Sequence, residues 1–279
     1  MGGMGGVSVA APLGADAGDV SYPAHLINGR LPRDPATVAA VPGHRIRFRL
    51  INASADTAYR FAVGGHRLSV THADGYPVQP FDTDTLILGM GERYDVTVTV
   101  SDGSFPIVAS PEGKSDPPGL AVLRSGAGDP PAPGVLPAEL AGQMLTYRDL
   151  VPTAESALDT AEIDRELPLS LSMADGGRRW LINGAPFEDR EPLYVAAGER
   201  VRLTISNRSM MFHPIHGHTF ALSGESGTGV RKDTVNVVPM QWLSVDLQAD
   251  NPGQWMAHCH NAYHAELGMM AVLSYVVPT

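Results

Sequence analysis

Cysteine is almost missing from the 279 residues, with Cys259 standing alone. One thiol closes no intrachain disulfide, and without a Cys-x-x-Cys pair neither a zinc ribbon nor a dithiol redox centre can form. Basic residues are also short, 20 Lys and Arg against 30 Asp and Glu, and they do not cluster. The resulting formal charge of −10 repels phosphate backbones, which excludes nucleic acid as a partner. Long apolar runs are absent too, none approaching the roughly 20 residues of a membrane-spanning helix. The opening residues MGGMGGVSVAAPLGADAG lack the basic start and continuous apolar core of a secretory signal. On its face the chain carries no export address, and residues 1–19 are expected to be a flexible lead-in. The length suits two modest domains, each able to bury a core.

An internal repeat sets the architecture. HLINGRLPRDPATVAAVPGHRIRFRLINAS at 25–54 aligns without a gap on WLINGAPFEDREPLYVAAGERVRLTISNRS at 180–209. Asn28-Gly29 matches Asn183-Gly184, Gly43 matches Gly198, and Asn52 and Ser54 match Asn207 and Ser209. Both copies read as β structure. Ile46, Phe48 and Leu50 alternate with arginines, as Val201, Leu203 and Ile205 alternate with polar residues, and 94–100 and 243–248 keep the same period of two. Short strands between Gly, Pro, Asn and Asp turns predict an all-β chain of two antiparallel sandwiches, at 20–125 and 168–279. The Pro- and Gly-rich stretch from 125 opens a linker over 126–167, and residues 154–167 hold the one plausible longer helix.

The chemistry gathers in the second copy. Six of ten histidines fall in HPIHGH at 213–218 and HCHNAYH at 258–264, the second enclosing Cys259 and leading to GMM at 268–270. On a strand through 256–260, side chains alternate between faces, so His258 and His260 share one side while Cys259 points to the other. His216 and His218 form a second same-face pair, and the two pairs can converge on a polynuclear metal site. On the opposite face Cys259 needs further donors. His213, His264 and Met269 complete the His₂Cys set with a weak thioether that characterises blue-copper sites. Zinc suits this set less well, because structural zinc favours several thiolates and catalytic zinc seldom uses methionine. His25, His44, His66 and His72, taken singly, read as ordinary structural or surface residues.

HPIHGH and HCHNAYHAELGMM resemble the two C-terminal copper signatures of the multicopper oxidases, the laccase-like enzymes built from Greek-key cupredoxin domains. The resemblance implies that His213, Cys259, His264 and axial Met269 hold a type 1 copper, which takes single electrons from a small reducing substrate. His216 would bind a type 2 copper, and His218, His258 and His260 a type 3 pair. The catalytic path would run from Cys259 through the adjoining backbone to His258 and His260, where dioxygen is reduced to water.

The first copy resembles the copper-free middle domain of three-domain members. FPIVASPEGKSDPPGL at 105–120, set against QWMAHCHNAYHAELGM at 254–269, puts Ala109, Ser110 and Pro111 opposite His258, Cys259 and His260, with Ser115 and Leu120 facing His264 and Met269. None of these ligates copper well. A complete dioxygen-reducing cluster in this family draws on four His-x-His pairs, and this chain has two. It therefore resembles domains two and three of a three-domain oxidase with the first domain missing, a deficit that self-association cannot repair because every copy lacks the same pairs. The apolar face left by that domain favours self-association.

The resemblance further implies a periplasmic or secreted setting, and the lack of a methionine-rich insert favours organic reductants. Some family members place a proton-relaying carboxylate directly after the second type 1 histidine; here that position is Ala265, with Glu266 one step later. Met210 and Met211 are candidates to line a substrate approach, and Arg231, Lys232 and Asp233 to contact substrate. A blue-copper electron carrier that never meets dioxygen is the alternative reading. Copper-dependent nitrite reduction fits less well, since in that family the type 1 site lies in the first domain. A copper-free interaction domain is the bland reading.

Overall fold

A computed structural model describes residues 12–159, 161–224 and 228–276. The two Asn-Gly pairs of the repeat form the same tight turn. Asn28 and Gly29 sit at φ 51° and 73°, Asn183 and Gly184 at 52° and 79°. A two-residue turn with both central residues at positive φ suits this dipeptide, because asparagine tolerates and glycine freely adopts the left-handed region. Each turn closes a one-pair bridge, Ile27 with Arg30 and Ile182 with Ala185.

The alternating runs become strands whose apolar side chains face inward. Arg45–Ile51 pairs antiparallel with Arg93–Thr99, where Tyr94, Val96 and Val98 are buried. Its counterpart Arg200–Asn207 pairs antiparallel with Trp242–Gln248, burying Leu243, Val245 and Leu247. The first half is a sandwich of a four-stranded sheet on a five-stranded one. In the second half nine strands form one continuous sheet, folded on itself around a core continuous with that of the first half. The sheets are mixed rather than purely antiparallel. Ala36–Ala39 runs parallel to Gly119–Arg124, Leu193–Ala196 to Met270–Val276, and Arg165–Ala174 to Arg200–Asn207.

Two expectations about the segments outside the sandwiches are corrected, the helix at 154–167 and the flexible lead-in. Among the described residues of 154–167 no helix forms. Ser156 donates to the Pro77 carbonyl at 2.6 Å and fixes a turn, and Arg165 onward is drawn into the parallel pairing with the strand at 200–207. A helical propensity of tenths of a kcal/mol per residue yields to a buried sheet position. The linker is not loose. Leu145 and Leu150 are buried, and Met144 and Pro152 bridge to Thr85 and Val78. Each such leucine stabilises the docked path by about 1.5–3 kcal/mol. The lead-in is packed from residue 12, with Leu13 and Ala17 buried and Asp16 bridged to Met211. Residues 1–11 lie outside the described residues.

Superposing the two halves by strand register moves their alignment by one residue around the metal motif. Ile215 pairs with Cys259, and the equally core-facing Phe61 pairs with Ala109. Cys259 donates its N–H to the Met269 carbonyl, and Ala109 lies opposite Gly119. Ala109 therefore stands in the place of Cys259, Val108 and Ser110 in those of the flanking histidines, and Gly119 in that of Met269. Tyr59 takes the place of His213. It meets His25 edge-on at 5.3 Å, as His213 meets Trp180 at 5.1 Å. The shift arises in the loop before the strand. Asn52 anchors the carbonyl of Thr57, five residues on, whereas Asn207 anchors that of Met211, four residues on. The copper-free half still offers no ligand set.

Candidate metal centre

The strands His213–Ser223 and Gln254–Cys259 lie side by side, and strand alternation sends Cys259 into the core and His258 to the opposite face. Beyond Cys259 the chain turns sharply. Asn261 caps a five-residue helix, Ala262–Glu266, accepting from the N–H groups of Tyr263 at 3.0 Å and His264 at 3.4 Å. Gly268 then sits at φ 110°, where a Cβ would come within 2.8 Å of the Trp180 carbonyl, so only glycine fits. The loop is locked by Cys259 N–H donating to the Met269 carbonyl at 3.0 Å and Met269 N–H to the His264 carbonyl at 2.9 Å.

These constraints bring His213, Cys259 and His264 together. Cys259 Sγ lies 3.6 Å from His213 Nδ1 and 3.5 Å from His264 Nδ1, and the two Nδ1 atoms are 3.1 Å apart. All three residues and Met269 are completely buried. Among the described residues this is the set of three such donors whose ligand atoms lie within 4.8 Å of one another. The outer nitrogens have polar neighbours: His213 Nε2 meets Ser209 Oγ at 2.8 Å, and His264 Nε2 lies 3.0 Å from Asp19 Oδ2, an ion-pair contact without hydrogen-bond geometry. Trp180 packs on both rings, at 5.1 Å from His213 and 4.0 Å from His264.

With Ser209 at His213 Nε2 and Asp19 near His264 Nε2, the two Nδ1 atoms and the sulfur face one another within hydrogen-bond reach, an arrangement that also suits a shared cation. Burial pushes the Cys259 thiol well above the ordinary thiol range, and burial followed by the neighbouring His264 pushes the His213 imidazole well below its own. Both shifts disfavour charge in a site without a cation. A bound metal reverses that balance for the sulfur, and the donor chemistry fits copper.

On the opposite face three imidazoles meet. His216 lies 5.5 Å from His258 and 5.7 Å from His260 between ring centroids, and His258 is 5.6 Å from His260. His258 Nδ1 is bonded to the Cys259 carbonyl at 2.9 Å, so the chain that carries the sulfur also holds this ring. Burial lowers the affinity of His258 and His260 for protons. His218 stands apart from these rings. Its Nδ1 meets the Thr219 carbonyl at 2.9 Å, its Nε2 the Tyr275 hydroxyl at 3.2 Å, and its ring packs on Trp255 at 4.9 Å. A register irregularity between His216 and Phe220 breaks the regular alternation on which a same-face pair depends.

The remaining candidates separate by burial. Met211 is in the core and Met210 is exposed. Lys232 does not meet solvent: it is completely buried, 3.0 Å from Asp74 and 3.1 Å from Glu92. Asp233 is held by both nitrogens of the Arg93 fork, and burial, which would raise its carboxyl, is outweighed by bonds from His216 and Arg93 that hold it well below the usual range. Neither suits substrate contact. Glu266 is exposed on the short helix. Asp19, Trp180 and Ser209 act on the metal set without having stood out as motifs. Only Ser209 carried a signal, through the Asn-x-Ser shared by the two copies.

Two family profiles, each described as multicopper oxidase, match residues 11–127 and 162–278. The sequence is 46% identical over 268 residues to the multicopper oxidase MmcO of Mycobacterium tuberculosis, covering 95% of this chain and 53% of that protein. It is 29% identical to a laccase of Cryphonectria parasitica, over 84% of this chain and 50% of the laccase. The chain thus spans about half the length of these curated relatives. Among solved structures, Fet3p, a multicopper oxidase that functions in iron import, superposes with a TM-score of 0.76 at 18% identity, over 86% of this chain and 57% of that one. That likeness is one of fold.

Proposed function

The chain belongs to the multicopper oxidase family, and on that premise we propose that it is the electron-accepting and electron-relaying portion of a laccase-like copper oxidase. His213, Cys259 and His264, with Met269 as a weaker fourth donor, would hold a copper ion, which would supply one-electron redox chemistry toward a small reducing substrate. Cys259 contributes the thiolate and, through its own backbone, the shortest covalent path to His258 and His260. Ser209 and Asp19 keep the two imidazoles turned with Nδ1 inward, and Trp180 with the surrounding core excludes water. His216, His258 and His260 form the start of the dioxygen-reducing site, with His218 assigned to it by motif alone. Its remaining donors would come from outside residues 1–279, from a further domain of the same architecture. The lack of a methionine-rich insert favours organic reductants, and the family resemblance a periplasmic or secreted setting.

One observation carries this reading: Cys259 Sγ and two Nδ1 atoms face one another at 3.1–3.6 Å while the residues on either side of the cysteine point histidines to the opposite face. Titrating the purified metal-free chain with copper should give an intense visible thiolate-to-metal absorption band saturating at one equivalent, with a type 1 paramagnetic resonance signal. Dioxygen consumption with a phenolic reductant should be slight for the isolated chain. A folded chain that binds copper without the visible band would overturn the type 1 assignment, and rapid four-electron turnover would overturn the need for outside donors.

A further inference from the structure

The three-histidine face is not built by the copper-binding half alone. The turn at 89–93 of the copper-free half presses on it. Gly91 lies at φ +85°, and a Cβ there would be 2.5 Å from His260 Cδ2, so the backbone of this turn packs directly on the ring. Two residues on, Arg93 reaches across with both terminal nitrogens on Asp233, at 2.5 Å to Oδ1 and 2.8 Å to Oδ2. Arg93 is itself steadied by donating to the Asp74 carbonyl at 2.9 Å. Asp74 Oδ2 in turn accepts from the backbone N–H groups of Asp233 and Thr234, each at 3.2 Å.

The end of this chain of bonds is His216. Its Nδ1 is 3.0 Å from Thr234 Oγ1 and 3.5 Å from Asp233 Oδ1. A hydroxyl has one hydrogen, and Thr234 donates its own to Asp233 Oδ1 at 2.9 Å, since an ionised carboxylate only accepts. Thr234 Oγ1 therefore has only lone pairs left for the imidazole, and Nδ1 must be the protonated nitrogen. In the neutral ring that leaves Nε2 with the free lone pair.

We propose that Arg93, Asp233 and Thr234 are a positioning relay that locks His216 in the Nδ1–H tautomer and so selects Nε2 as its metal-binding atom. The relay gives the copper-free half a definite role, because through Arg93 and Asp74 it sets the acceptor that sets the tautomer. Partners of this kind orient ligating histidines, and losing one typically weakens metal binding 10–100-fold. The purpose of the relay rests on the reading of His216 as a ligand, but the tautomer exists without metal and can be measured without it.

The test is long-range proton–nitrogen correlation on the full metal-free chain labelled with ¹⁵N-histidine, at a pH where the imidazoles are neutral. The His216 signals are assigned by their loss in His216→Gln. The unaltered chain should show Nδ1–H for His216. Thr234→Val, which removes the nearer acceptor and leaves Asp233 Oδ1 at 3.5 Å, but keeps the shape and the Arg93–Asp233 pair, should shift it toward Nε2–H, and Thr234→Ser should restore it. Arg93→Gln, which frees Asp233 without touching the histidine, should give a partial shift and serves if the valine variant does not fold. Zinc is the binding probe, titrated calorimetrically in a Cys259→Ser background. Affinity at the three-histidine group should fall about tenfold or more with Thr234→Val and recover with Thr234→Ser. An Nε2–H tautomer in the unaltered chain, or a valine variant with unchanged tautomer and zinc affinity, overturns the relay. An Nδ1–H tautomer that follows the variants as described, in a chain whose histidine group takes up no zinc, would uphold the relay and sink the metal reading of that group instead.

Discussion

The two halves repeat one frame and put different chemistry in it. In both, an asparagine folds the end of a strand by donating to two carbonyls, Asn52 to Thr57 and Leu88, and Asn207 to Met211 and Val237. A serine two residues on bonds back to it, Ser54 to Asn52 and Ser209 to Asn207. In the copper-free half this serine side chain also bonds Tyr59, a residue that offers no metal-binding nitrogen. In the other half the same serine also meets His213 Nε2 and aims the ring. Where His213 stands, the first half has Tyr59, and where Cys259 stands it has Ala109. The donor set is thus an elaboration of a frame that closes without it, added to the fold rather than supporting it.

The largest effect that would sharpen this contrast is Cys259→Ser. It should abolish the visible thiolate band outright while lowering the stability of the metal-free chain by only about 1 kcal/mol. A loss of folding comparable to the loss of the band, followed by circular dichroism during thermal melting, would mean that the donor set supports the frame after all.

Next comes the contact between the halves. Lys232 is buried between Asp74 and Glu92, over the rings of Tyr94 at 4.7 Å and Tyr147 at 5.5 Å. Burial alone would lower its affinity for a proton, but the two carboxylates outweigh it and hold the ammonium charged. Lys232→Met should strand two carboxylates in the interior and cost about 3–5 kcal/mol in urea unfolding. Two separate transitions in the unaltered chain, with only one moved by this change, would show that the halves fold independently of the Lys232 contact.

The smallest and most discriminating test is the paired change Ser54→Ala and Ser209→Ala. Each removes the same bracket and should cost about 1 kcal/mol. Only Ser209→Ala should also weaken copper binding, by about tenfold, because only that serine holds a ligand. Equal behaviour of the two variants toward copper would break the comparison.

Much of this was legible in the chain. The repeat predicted two like units, the period of two predicted strands, and His-Cys-His predicted two donor faces, because alternation is a local consequence of extended backbone. The neighbours of the donors were not legible. Asp19 lies far from His264 in sequence, in a stretch whose small residues read as a flexible lead-in, and nothing local marks it as a partner. His218 looked equivalent to His216, yet the irregular register beyond His216 and the presence of Trp255 and Tyr275 give it other contacts. The ungapped repeat hid a one-residue difference that surfaced only where strands pair.

By itself the sequence determined which atoms can bind a metal and that they fall on two faces of one strand, since residue type and alternation are carried along the chain. Only the tertiary structure decided which nitrogen of each imidazole faces inward and which half holds it there. Ring orientation is fixed by acceptors that arrive from distant segments, Ser209 and Asp19 for the sulfur site and Thr234 backed by Arg93 for His216, and those meetings depend on how the sheets pack.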